Sequence, residues 1–159
     1  MPITIASFAL FLHIVASFWL VAGAFGTTIV RAQAKRAADL RERVPILRVG
    51  ARMAAIFTIP GAIIAGLLGF WLLTARGWGF SPGWVRASIG IYLLMLASGL
   101  GYIAPKMRAM LRAAEASLAA GAPTAEYQRL AANKLPGILA DVNALGILIL
   151  TLLMTLKPF

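Results

Sequence analysis

The chain of 159 residues contains no cysteine. Disulfides, thiolate nucleophiles and cysteine-held metal or iron–sulfur centres are therefore excluded. It contains one histidine, His13, so several imidazoles of one chain cannot share a metal. Acidic residues number five, against fifteen Lys and Arg, for a formal net charge of +10. No Ser-His-Asp set can be assembled: Ser17 lies one turn from His13, and no carboxylate is expected at that depth. No glycine-rich loop precedes a basic phosphate-binding residue. Charged residues are only 13% of the chain.

What is present is hydrocarbon. Hydrophobic residues reach 61%, where soluble domains hold about 45–50%. A chain this short cannot hide that much apolar surface from water, so its solvent is a lipid bilayer. Four segments are apolar over the roughly 20 residues that a hydrocarbon core requires. They run about Ile3 to Val30, Met53 to Ala75, Val85 to Ala104 and Leu135 to Leu156. The first has no basic n-region and is too long for a signal-peptide core, so it is expected to be retained.

The basic residues sort by side. Arg31, Lys35, Arg36, Arg41, Arg43, Arg48 and Arg52 lie between spans one and two. Lys106, Arg108, Arg112, Arg129 and Lys134 lie between spans three and four. Only Arg76, Arg86 and Lys157 fall on the other side. The positive-inside rule then puts both long connections in the cytoplasm and both termini outside. The basic residues flank apolar spans, so the charge reads as topology and not as nucleic-acid binding.

The connections themselves carry helix formers. "VRAQAKRAADLRERV" is expected to continue helix one beyond the membrane, and "PKMRAMLRAAEASLAAGAP" to continue helix three. Gly121-Ala122-Pro123 stops the latter, and Thr124 can cap a short amphipathic helix leading to span four. Trp78 and Trp84, in the short outer loop, suit an interfacial aromatic belt. The fold expected is all-α: a four-helix transmembrane bundle with cytoplasmic helical extensions, a single integral membrane domain over residues 1–159. Gly61, Ala65 and Gly69 at four-residue steps, Ala97 with Gly101, and Gly23 with Gly26 give small faces. Such faces suit helix packing or a homo- or hetero-oligomer. Pro60 lies inside span two and is expected to kink it.

Two ionisable residues lie inside spans, His13 and Asp141. Such residues are costly in lipid and often functional. Counting ~1.5 Å per residue from the inner ends, His13 is about 27 Å up and Asp141 about 10 Å, so a direct pair is not expected. Arg52, Lys106 and Lys134 are the cations expected near the Asp141 carboxylate. Residues level with His13 are Tyr92, Met154 and, one turn away, Ser17. Histidine with methionine is an axial ligand set for haem iron. A haem b or porphyrin, a quinone, a hydrogen bond to Ser17, proton handling, or a structural imidazole satisfied by a backbone or hydroxyl group are the open roles for His13. An accessory or scaffold subunit of a membrane complex, or a small transporter, is the alternative from another class.

The early "LH-x-x-x-x-x-W" helix, "GLLGFWLL" after Pro60, "GWGFSPGW", Tyr92 and the ending "LMTLKPF" resemble a bacterial family of predicted integral membrane proteins of unknown function. The likeness covers most of the chain. His13 and the four-helix layout are also similar to HemJ-type protoporphyrinogen oxidases and to copper-resistance D-type membrane proteins. HemJ-type enzymes use a lysine well inside a span, whereas Lys157 is terminal. The copper proteins use more His or Met ligands than this chain holds. What the resemblance implies is a small helical protein of the bacterial inner membrane, associated with haem or porphyrin.

Overall fold

A computed structural model describes residues 4–158. Among these the secondary structure is helical, with no strand. Helix α1 spans Ile5–Arg36. The Thr4 hydroxyl accepts from the Ser7 amide and the Ser7 hydroxyl accepts from the Thr4 amide, a reciprocal cap. At ~1.5 Å per residue this 32-residue helix is far longer than a hydrocarbon core of about 30 Å, so it extends beyond the membrane. The continuation is shorter than the sequence implied, because the helix stops at Arg36. Asp39 then caps a new helix by accepting from the Glu42 amide, and Glu42 reaches back to the Ala38 amide. Local side-chain capping won over the helix propensity of "AKRAADLRERV".

Helix α2 spans Leu40–Ala75 and α3 spans Gly83–Ala119. Each contains one π turn, Ala54–Thr58 and Gly99–Ile103, and in each a proline follows two residues later. Ile59 N–H donates to the Ala54 carbonyl and Ala104 N–H to that of Gly99, each five residues back. Pro60 has no N–H for the carbonyl one turn before it, at Ile56. The Trp19 indole N–H fills that vacancy, donating to the Ile56 oxygen at 2.8 Å. The expected kink at Pro60 therefore takes the form of a widened turn sealed from α1. Helix α4 spans Ala125–Ala132, capped by Thr124, and α5 spans Leu135–Leu156. Gly121, with φ +74, makes the turn between α3 and α4.

Two hairpins organise the apolar part, α1 with α2 and α3 with α5. In the first, the backbones nearly touch. A Cβ on Gly61 would lie 2.6 Å from the Leu20 amide nitrogen, and one on Gly23 would lie 2.5 Å from that of Thr58. Close backbone approach is the main source of helix association in lipid. In the second, Gly146 receives the Met95 sulfur. The hairpins meet through α1 and α5, and again where α2 and α3 run on beyond the membrane.

That basic end has its own small core of Val44, Ala113, Ala114 and Tyr127. Arg43 donates to the Tyr127 hydroxyl at 2.7 Å, and Arg48 pairs with Glu115 at 2.6 Å. At the opposite, tryptophan end, Leu73, Trp84 and Val85 pack together. Lys157 lies 4.3 Å from the Trp78 ring centre and Trp78 meets Trp84 edge-on. Trp84 is buried within the protein, so it braces this end instead of joining an interfacial belt.

The rest of the apolar surface faces outward. Phe8, Phe11, Phe18, Leu67 and Leu94 are all exposed. No more than 17% of any apolar span window is buried inside the chain. Water would not tolerate that surface, so hydrocarbon covers it.

Candidate functional site

Four helical stripes converge near the tryptophan end. His13 and Ser17 lie a turn apart on α1, Ala65 and Gly69 on α2, and Ser88 and Tyr92 on α3. Thr151 and Met154 come from α5. Spacings of three and four put each set on one helix face. Between them is a cavity of about 140 Å³ with mostly apolar walls. Small residues make the room: Gly69 lets the His13 ring lie 3.2 Å from where a Cβ would be, and Gly66 leaves space for the Tyr92 phenol.

The polar atoms on these walls have a shared direction. His13 Nδ1 is 2.9 Å from the Ala65 carbonyl oxygen. A carbonyl only accepts, so Nδ1 carries the proton, and in the neutral ring Nε2 is a bare lone pair. Nε2 has no partner among the described residues. The Ser17 hydroxyl donates to the His13 carbonyl at 2.7 Å and not to the imidazole, so of the partners left open by the sequence the ring takes a backbone carbonyl. The Tyr92 hydroxyl donates to the Ala62 carbonyl at 3.1 Å, joining the two hairpins. The Thr151 hydroxyl donates to the Ile147 carbonyl at 2.9 Å. Each of these protons is committed to backbone, so what hydrogen-bonding capacity the four side chains retain is as acceptors. The exception is Ser88, which is 4% exposed with an oxygen that has no partner.

Sequence reasoning named His13, Ser17, Tyr92 and Met154 as level with one another, and all four line this one cavity. It missed Ser88. The signal was present, since Trp84, Ser88 and Tyr92 recur every four residues on α3 and so share one helix face. As it stands the cavity is smaller than a porphyrin. A cavity of about 150 Å³ holds one benzene, and this one is of that order. Among the described residues no three His, Asp or Glu side chains cluster as metal ligands.

Asp141 lies at the other end. Its carboxylate is met by Arg31 of α1, so the cation comes from α1 and not from Arg52, Lys106 or Lys134. Arg31 lies 18 positions after His13, about 27 Å along the helix, so Asp141, held by Arg31, is far from His13 as anticipated. Asn143, two residues on, faces α3 instead and bonds Ser98 and the Met95 carbonyl. Of the other basic residues, Lys35, Arg36 and Arg52 are exposed, and Lys106 lies 5.9 Å from the Tyr102 ring centre. Arg31 and Arg108 line a second cavity, of about 260 Å³. Leu20, Tyr92, Ile147 and Leu150 border both cavities.

Residues 7–158 match the family model described as predicted integral membrane protein (DUF2269), and the chain belongs to that family. It is a multi-pass integral membrane protein of the lipid bilayer. No curated protein and no solved structure matches it.

Proposed function

We propose that the chain is a bacterial inner-membrane protein whose cavity at the tryptophan end binds a ring-sized apolar molecule carrying a hydrogen-bond donor. In this reading the whole chain is one membrane domain, the basic end is cytoplasmic, and both termini and the His13 cavity are on the outer side. His13 accepts the ligand's hydrogen at Nε2, Ser17 and Tyr92 offer further lone pairs, Met154 contributes a polarisable wall, and Ser88 returns one donor. The observation that carries this is the committed set of protons. His13, Ser17, Tyr92 and Thr151 all direct their hydrogens at backbone carbonyls. A guest with no donor would leave the Nε2 lone pair unpaired, at about 1–3 kcal/mol.

The test is a comparison of phenol and toluene, two rings of nearly equal size. Binding to detergent-purified protein is measured by calorimetry. Phenol should bind about tenfold tighter, the equivalent of roughly 1.4 kcal/mol, and His13→Ala should erase the preference. Equal binding of the two rings overturns the proposal. One observation favours a second reading, a small transporter: the two cavities share four lining residues, with Tyr92 among them. Under that reading Tyr92→Ala would raise the leak of the same probe across proteoliposomes, whereas a closed binding site would show no change.

A further inference from the structure

The second cavity differs from the first in its charge. Its walls are apolar along most of their length, and Arg31 and Arg108 stand at the basic end. Arg31 pairs with Asp141, but Asp141 is not on the cavity wall and its side chain is 54% exposed. One carboxylate oxygen engages a single Arg31 nitrogen, and a guanidinium has five N–H groups in all. Arg108 is exposed and has no carboxylate partner among the described residues. Two guanidiniums and one carboxylate leave a net single positive charge, the complement of one phosphodiester.

The length is also informative. On α1 the cavity runs from Arg31 up to Leu20, about 16 Å at ~1.5 Å per residue. That is close to half of a hydrocarbon core of about 30 Å, the depth of one leaflet. An acyl chain entering beside the charged end would follow the walls formed by the two π turns, past Ala55, Thr58 and Gly99. A Cβ on Gly99 would meet only the Asn143 amide, at 3.8 Å, so this wall has room.

We infer that this cavity is a site for an anionic phospholipid of the leaflet next to the basic end, with one acyl chain between the hairpins and the phosphate on Arg31 and Arg108. Basic pockets between transmembrane helices bind anionic headgroups in this way. The chain fills the gap between hairpins that touch sparsely there, so occupancy should stiffen the bundle. This site adjoins the His13 cavity at Leu20, Tyr92, Ile147 and Leu150, but the inference does not rest on the reading given to that cavity.

The test uses the whole protein, delipidated in a neutral detergent, with phosphatidylglycerol or phosphatidylcholine of the same acyl chains added. Thermal unfolding and native mass spectrometry report stability and retained lipid. Phosphatidylglycerol should raise the melting temperature by several degrees and survive as a one-to-one adduct, and phosphatidylcholine should do neither. Arg108→Gln should lower retention by at least fivefold without changing the melting temperature of the lipid-free protein. Gly99→Leu, which fills the wall, should lose retention while the lipid-free protein remains folded. Equal retention of phosphatidylcholine overturns the inference, as does an unaltered phosphatidylglycerol response in both variants. The same shift from glycerol phosphate alone would mean a free-phosphate site, and also overturns it.

Discussion

At the scale of single residues, several polar side chains inside the spans are explained by the carbonyls they serve. Trp19 is the clearest example, because its indole N–H takes the place of the N–H that Pro60 lacks. Trp19→Phe should cost about 1–3 kcal/mol of stability in detergent, the usual cost of an orphaned acceptor. Pro60→Ala in the same chain restores a backbone donor, so the two changes should be non-additive in a double-mutant cycle. Full additivity would show that the indole bond has no connection with the proline. His13 serves Ala65 in a similar way. Interhelical hydrogen bonds in membranes average about 0.6 kcal/mol, so His13→Ala should lower stability by that order only. A much larger loss on thermal unfolding would assign the imidazole to structure instead of ligand.

At the scale of helices, stability follows backbone proximity. Gly61 lies against the Leu20 backbone, whereas nothing is within 4 Å of where a Cβ would be on Gly90. Gly61→Ala should therefore cost about 1–3 kcal/mol through overpacking. Gly90→Ala should leave the melting temperature unchanged or raise it, because alanine is the better helix former. Thermal unfolding of both variants decides the point. This contrast also marks the boundary of what the sequence disclosed. Gly61, Ala65 and Gly69 read plainly as a packing face, and the structure uses all of them against α1 or its His13 ring. Gly101 reads identically, yet no atom lies within 4 Å of its would-be Cβ. Glycine spacing reports what a helix can do, and only the partner's position says whether it does so. The break after Arg36 was hidden for a related reason, since an Asp39 cap competes with propensity summed over a long window.

At the scale of the whole molecule, four spans were legible because hydropathy and charge segregation act over tens of residues. The convergence of His13, Ser17, Tyr92 and Met154 was legible too, since helix rise converts sequence number into depth. Azimuth was not. Depth counting could not choose between Arg31 and the other basic residues for Asp141, nor place Ser88 on the cavity wall. The orientation has a direct test because the chain has no cysteine of its own. A single cysteine at Ser81, exposed in the loop between α2 and α3, should react with an impermeant maleimide on intact cells. One at the exposed Asn133 should react only after permeabilisation. The opposite pattern would invert the topology.

The central claim is that His13 presents Nε2 as an unprotonated acceptor to a guest. With one histidine in the chain, ¹⁵N-histidine labelling yields a single imidazole in the spectrum. The ring nitrogens should show a protonated Nδ1 and a bare Nε2 in the empty protein at neutral pH. Phenol should move the Nε2 resonance and leave that of Nδ1 nearly in place. A protonated Nε2 with a bare Nδ1, or an Nε2 signal indifferent to phenol, would contradict the account.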